Sequence, residues 1–249
     1  DAQESRGLGD VYKRQSSYLY GKQSVASQTL FYPHNTEEMR NLSFAGPVKQ
    51  LVIQASGLQW LDYLLKYGYD ENTVVRFVDY NLFAVETMMV IVKRWNGLNY
   101  PQFITATVGG RAALVGKEAK DWLAISSGLK DINIDPAVWN DVKSKVKFEF
   151  KHEDLVLNTA LPVSSWVDNV PNTIIHLSHI FNYEPTAAFV PLKHRLYNEN
   201  LLLKKLKEHV PTAHIIMGRS CEGFTDKTHG SIDIKSLKTP TWRSNGDWL

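Results

Sequence analysis

The sequence predicts an α/β protein built on a mostly parallel sheet, and one stretch, Val48 to Lys93, carries that prediction in three observations. An apolar run, Leu51-Val52-Ile53, meets a small-residue turn, Ala55-Ser56-Gly57. A segment from Trp60 to Tyr67 with the apolar spacing of a helix comes next. A second apolar run, Val74 to Val78, then stops at Asp79. Strand, glycine turn, helix, strand and acidic tip, in that order, are how open α/β sheets build a nucleotide pocket at the carboxyl ends of parallel strands.

Each part has its own physical reason. Gly57 lets the chain turn sharply and leaves no side chain between backbone and ligand. The start of the following helix offers free N–H groups to a polar ligand. Asp79 can accept two hydrogen bonds from a ribose diol. It stands 22 positions after Gly57, near the roughly 20-residue spacing of dinucleotide folds. The competing reading is an ordinary βαβ unit with a turn glycine and a surface carboxylate. The chain has no G-x-G-x-x-G fingerprint and no P-loop, which argues against a nicotinamide or flavin dinucleotide and against phosphate cradling by a P-loop.

The remaining elements follow the same logic. Gly46-Pro47 breaks the chain before the first strand. Upstream, Thr36-Glu37-Glu38-Met39 opens a short helix. Leu82 to Trp95 carries apolar residues at helical spacing and ends at Asn96-Gly97. Val108-Gly109-Gly110-Arg111 reads as a turn, and Glu118 to Ala124 as a helix. Pro136 to Lys145 is a helix opened by Asp135 as cap and Pro136 in its first turn. Residues 98–145 thus form a helical insertion between the second and third strands, where substrate specificity is expected. Alternation at Val146, Phe148 and Phe150 predicts a strand, followed by a turn at His152-Glu153-Asp154. Thr173 to Ile180 is a buried strand, Leu192 to Glu208 an amphipathic helix closed by Pro211, and Ala213 to Met217 another strand. Strands alternating with helices mean a parallel, doubly wound sheet. The Gly-, Ser- and Thr-rich tail after Arg219 is read as a short antiparallel edge or a covering loop.

Residues 1–15, DAQESRGLGDVYKRQ, lack apolar periodicity, and DVYKRQ resembles translated sequencing linker of the kind met at the ends of environmental gene assemblies. They are read as a non-native leader on a metagenomic fragment and left out of fold reasoning. Residues 16–45 form an N-terminal extension, and 46–249 the main domain.

Bulk properties narrow the function classes. With 249 residues and 43% hydrophobic content, the chain suits one sizeable α/β domain. A net charge of +2 gives no field suited to nucleic acid or an anionic membrane. One cysteine, Cys221, excludes an internal disulfide and any cysteine-based zinc cluster, and it reads as a small buried or half-buried residue rather than a nucleophile. No apolar run approaches a membrane span. A cytoplasmic, reducing compartment is the expectation.

Two segments carry a resemblance. QASGLQWLDYLL at the first turn and FVDYNLFAVE at the second strand end resemble the first two motifs of the class I S-adenosylmethionine (SAM) dependent methyltransferases, which have a Rossmann-like fold. The pattern is most similar to the branch that transfers aminocarboxypropyl groups in betaine-lipid synthesis. The resemblance implies SAM as cofactor, with Ala55, Ser56 and Gly57 under its methionine part. It implies Asp79 on the ribose hydroxyls, with Tyr80 and Asn81 flanking the adenosine. Asp154 would sit near the adenine amino group. Ser178 to Tyr183 would occupy the fourth-strand tip facing the transferred group. No Asn-Pro-Pro-Tyr or Asp-Pro-Pro-Tyr motif follows that strand, so methylation of base amino groups is not supported.

Transfer from a sulfonium is an in-line displacement that needs positioning first and a base only where the acceptor must lose a proton. His179 is the candidate base, with Tyr183 beside it as a second candidate catalytic residue. The alternative for His179 is a structural, hydrogen-bonded histidine. His176 and His179 fall on opposite faces of an extended strand, so no metal pair is expected. Three readings are carried forward: a SAM-dependent transferase, most readily a methyltransferase, with its acceptor unidentified; an enzyme using another nucleotide, such as a nucleotide sugar; and a cofactor-free binding or assembly module of the same fold, viral origin included.

Overall fold

The computed structural model describes residues 31–33, 41–113, 132–178, 180–181, 191–219 and 230–233. Its strands are β1 (Gln50–Ile53), β2 (Val74–Asp79), β3 (Lys147–His152), β4 (Thr173–Ser178), β5 (His214–Arg219) and β6 (Gly230–Asp233). Its α-helices are α1 (Gln59–Tyr67), α2 (Leu82–Arg94), α3 (Tyr100–Ala113), α4 (Pro136–Lys145) and α5 (Leu192–His209). The strands make one open sheet in the order β3-β2-β1-β4-β5-β6. The first five are mutually parallel, and β6 pairs antiparallel with β5 at the edge. This is the Rossmann-like arrangement expected from the alternation of elements, with the helical insertion between β2 and β3 and the antiparallel edge at the end.

Because side chains alternate across a strand, the sheet feeds two apolar layers. Leu51, Ile53, Val75 and Phe77 face a cluster with Trp60, Leu61 and Leu64 of α1, Met88 and Ile91 of α2, Ile104 of α3 and Trp139 of α4. Val52, Val78, Ile175 and Leu177 face a second cluster with Leu202, Leu203 and Leu206 of α5. Helices on both faces fix where the chain direction switches. β1 leads by α1 to β2 on one side, while β4, its other neighbour, leads by α5 to β5 on the opposite face. The two crossovers diverge at the carboxyl ends of β1 and β4, leaving a crevice there.

Local chemistry explains the element ends. Asn81 caps α2, its side-chain oxygen accepting from the Phe83 and Ala84 N–H groups at 3.1 and 3.3 Å. Asp135 caps α4 in the same way through Ala137 N–H at 2.8 Å, with proline in the first turn as expected. Gly97 lies past the α2 cap residue, Trp95, at φ +95°. A Cβ there would fall 2.9 Å from the Ile134 carbonyl oxygen. Its glycine therefore serves a close backbone approach that ties the insertion down, alongside a 2.7 Å bond from Ile134 N–H to the Gly97 carbonyl.

One expectation is overturned. Val108 to Arg111 is not a turn; α3 runs through it to Ala113. Tyr100, Ile104 and Val108 lie one turn apart along α3 and are fully buried in the first cluster. That packing outweighs the roughly 1 kcal/mol per residue by which glycine disfavours a helix. Gly110 faces open space, so no close approach demands it.

Part of the N-terminal extension also belongs to the core. Phe31 is fully buried in the first cluster, with Leu42 and Phe44 packed against it. Residues 1–15, the Thr36–Met39 segment, the Glu118–Ala124 segment and Cys221 lie outside the described residues. No described helix is long and apolar enough to cross a membrane.

Candidate functional site

The tip of β2 and the turn after β1 meet in space. Parallel pairing sets Ile53 beside Phe77, so Asp79 projects two residues further, level with the turn. Its Oδ2 accepts the Ala55 N–H at 3.3 Å and its Oδ1 accepts the Asn81 N–H at 2.9 Å. The residue as a whole is half-buried, but its carboxylate is turned inward onto these backbone donors. The Tyr80 N–H is a third backbone donor to it, which leaves one of the carboxylate's roughly four acceptor sites for a ligand hydroxyl.

Gly57 has φ +52°, the left-handed region that most side chains avoid. The turn it makes is not a bare set of donors, however. Ala55 N–H is taken by Asp79, Ser56 N–H by the Gln54 carbonyl at 2.9 Å, and Gly57 N–H by the Tyr32 carbonyl at 2.8 Å. The turn is thus braced from within. Ala55 is buried and Ser56 half-buried.

Burial dominates the electrostatics here. It pushes the Asp79 carboxyl from 3.8 up to about 7, with Asp154 adding to the rise and the backbone bonds from Asn81, Ala55 and Tyr80 opposing it. The Tyr80 phenol is raised above its ordinary range, first by burial and then by Asp79, Tyr32 and Asp154. Asp79, Tyr80, Asp154 and Tyr32 therefore share one neighbourhood. Asp154 is 9% exposed, and its Oδ1 accepts from Val156 and Leu157 N–H groups, each at 2.9 Å. It caps the turn after β3 while adding negative charge near Asp79. Asn81, expected beside the adenosine, uses its oxygen to cap α2. Its spacing ahead of an apolar helix was the available signal for that role.

Ser178 closes β4, paired with Gly218 of β5; its side chain lies outside the described residues, as do His179 and Tyr183. His176 is fully buried in mid-strand, with the Tyr63 ring centroid 5.7 Å from its own. Two residues at the site had no signal in the sequence reading. Tyr32 comes from a segment without periodicity. His152, at the end of β3, donates from Nε2 to the Tyr80 carbonyl at 2.8 Å and fixes the chain just past Asp79. A narrow cavity under α5, lined by Leu155, Asn158, Trp166, Leu201 and Lys205 among others, includes none of the crevice residues. Among the described residues no group of three His, Cys, Asp or Glu is placed to hold a metal ion.

The raised Asp79 carboxyl gives a pH signature. Between pH 3.8 and about 7 the folded chain keeps a proton that the unfolded chain has released. Its contribution to stability is complete below that window and lost as pH rises through about 7. Denaturant midpoints measured at pH 5 and pH 8 should show wild type losing stability relative to Asp79→Asn over that interval. Parallel pH profiles for the two proteins would contradict the assignment.

No known family model matches the sequence, and no curated protein matches it.

Proposed function

We propose that the chain is a SAM-dependent transferase, most readily a methyltransferase, whose cofactor binds at the carboxyl ends of β1 and β2. The observation that carries this reading is the Asp79 carboxylate held against the β1 turn by the Ala55 N–H, at 3.3 Å. A carboxylate in that place suits a ribose hydroxyl, and the crevice between diverging crossovers is where open α/β sheets take nucleotides. The sequence motifs around Gly57 and Asp79 add the choice of SAM. Asp79 would accept a ribose hydroxyl, Tyr80 would border the adenosine, and Gly57 would leave room for the chain of the methionine part. When bound, the sulfonium supplies an activated carbon for in-line displacement. The residues named here bind and orient; His179 and Tyr183 remain the proposed groups facing the acceptor, which is unidentified.

Calorimetric titration with SAM and S-adenosylhomocysteine tests the reading. Micromolar binding is expected for wild type at pH 8. Asp79→Ala should weaken it roughly 10- to 100-fold, since a hydrogen bond to a charged group is at stake at about 1.5–3 kcal/mol. Wild-type affinity should fall toward pH 6, because the protonated carboxyl accepts a hydroxyl less well. Absence of heat with either compound on the wild-type protein removes the proposal.

A second reading, a cofactor-free binding module of this fold, is favoured by one observation: the three N–H groups of the β1 turn all have acceptors inside the protein. A thermal-shift panel containing SAM, S-adenosylhomocysteine, mononucleotides and nucleotide sugars separates the possibilities. A shift with nucleotide sugars alone moves the assignment to that enzyme class, and no shift at all supports the module.

A further inference from the structure

We infer that the outer edge of β3 pairs antiparallel with β3 of a second copy of this chain, centred on Phe150, so that two sheets join into one. The inference goes beyond the cofactor reading and does not depend on it. β3 ends the strand order and has β2 on one side only. Lys147 N–H donates to the Thr73 carbonyl at 2.9 Å, and Glu153 N–H to the Asp79 carbonyl at 3.0 Å. The odd-numbered residues of this segment thus turn their backbone toward β2. Alternation along the strand turns the N–H and C=O groups of Phe148, Phe150 and His152 outward. Among the described residues those outward groups have no backbone partner. Such a row is a template for another strand.

The sequence of the edge selects its own copy as that strand. Lys147 to Glu153 reads KFEFKHE. Set antiparallel to itself about Phe150, it places Lys147 opposite Glu153, Phe148 opposite His152, Glu149 opposite Lys151, and Phe150 opposite Phe150. Every Lys and Glu meets its opposite sign. Outward-facing residues also meet each other in this register, as exchange of backbone bonds requires. Centring on Glu149 instead would set Glu149 against itself and Lys147 against Lys151, and like charges directly opposite destabilise a sheet. Centring on Phe148 would draw Lys145, the last residue of α4, against Lys151. The side chains fit the same register. Lys151 and Glu153 form no ion pair among the described residues, so each can take a partner across the edge. Phe148 and Phe150 are only partly buried against the first cluster, Phe150 stacked on Phe77 at 5.4 Å, which leaves part of each ring for a second strand to cover. Lysine on an edge strand ordinarily deters pairing; here each lysine has a glutamate placed to receive it.

Sedimentation velocity of the full chain across a range of protein concentrations is the test. Wild type should pass from monomer to dimer at low salt, with weaker association as salt screens the pairs. Lys151→Glu sets a glutamate against Glu149 twice in the symmetric dimer and should raise its dissociation constant roughly tenfold or more. Glu149 itself is left intact, so its bond to Arg76 is kept. Two further variants fix the register. Lys147→Glu alone, or Glu153→Lys alone, puts like charges at both ends of the ladder and should weaken self-association. An equal mixture of these two variants restores a Glu–Lys pair at each end and should dimerise more tightly than either variant by itself. A wild-type chain that stays monomeric throughout overturns the inference and leaves the edge to a strand of another protein or to solvent. A dimer that Lys151→Glu leaves unchanged overturns it as well. A mixture no tighter than its components overturns the Phe150-centred register, and would do so even if Lys151→Glu failed to fold.

Discussion

Replacing Arg76 by Ala is expected to lower unfolding free energy by about 3 kcal/mol, read from urea denaturation at neutral pH. Arg76 is 7% exposed in the middle of β2, where an unpaired charge would be prohibitive. It is fully engaged. Nε donates to Glu149 at 2.7 Å, one terminal nitrogen to the Trp166 carbonyl at 2.8 Å, and the other to Asp168 at 3.1 Å. Gln50 completes the network, donating to Asp168 at 3.0 Å and accepting its N–H at 3.1 Å. The guanidinium thereby links β2 to β3 and to the segment leading into β4. Removing one partner of a buried pair costs about 3–5 kcal/mol. The lower end applies here, because Glu149 keeps Lys147 at 2.7 Å and the Asp168 side chain is 52% exposed. Burial raises the Glu149 carboxyl, yet Lys147 and Arg76 together bring it below its usual value. That part of the stability is present above the ordinary glutamate range and lost as pH falls beneath it. In the double variant Arg76→Met/Glu149→Gln the loss should shrink, since no buried charge is stranded. A cost under about 1 kcal/mol for Arg76→Ala would mean that the network does not hold the sheet.

Trp60→Ala should be at least as damaging, at about 3–5 kcal/mol. The indole is fully buried between α1 and the sheet. It meets Phe77, Phe148 and Trp139 at centroid distances of 5.7, 5.5 and 5.9 Å, the first two edge-on. Trp60→Phe provides the sharper comparison. The indole N–H is buried and finds no acceptor among the described residues, so phenylalanine loses volume but also removes an unsatisfied donor. Both variants remove an unmet buried donor, which costs about 1–3 kcal/mol, but phenylalanine keeps most of the ring volume, so it should lose under half of what alanine loses. Equal losses in the two variants would show that the N–H is satisfied, since the bond that both variants remove, not the ring volume, would then set the loss.

The order of strands and helices was legible because burial leaves a periodic trace. Leu51-Val52-Ile53 is a continuous apolar run, and Val74 to Val78 is one broken only by Arg76, since both faces of a parallel sheet are covered. The glycine pair in α3 misled for a related reason. Local chemistry favours a turn there, and only the burial of Tyr100, Ile104 and Val108 on one face overrides it. Arg76 inside an apolar run signalled that a partner must exist. It could not say which, because Glu149 and Asp168 stand 73 and 92 positions away.

At the crevice the division is similar. Gly57 and Asp79 were readable as a pair, since a βαβ unit brings the ends of its two strands to the same side of the sheet. Asn81 was read as flanking a ligand, and the structure adds that its side-chain oxygen caps α2. Tyr32 left no trace, as an irregular segment has no period from which a neighbour could be deduced.

The sequence alone determined the class of fold, the direction of its strands and the acidic tip beside a glycine turn, all of which follow from periodicity and short-range geometry. Only the tertiary structure decided which donors at that turn are already taken, which residue from outside the sheet reaches it, and how far burial raises Asp79. Those are properties of groups brought together across long stretches of chain, and no local pattern encodes them.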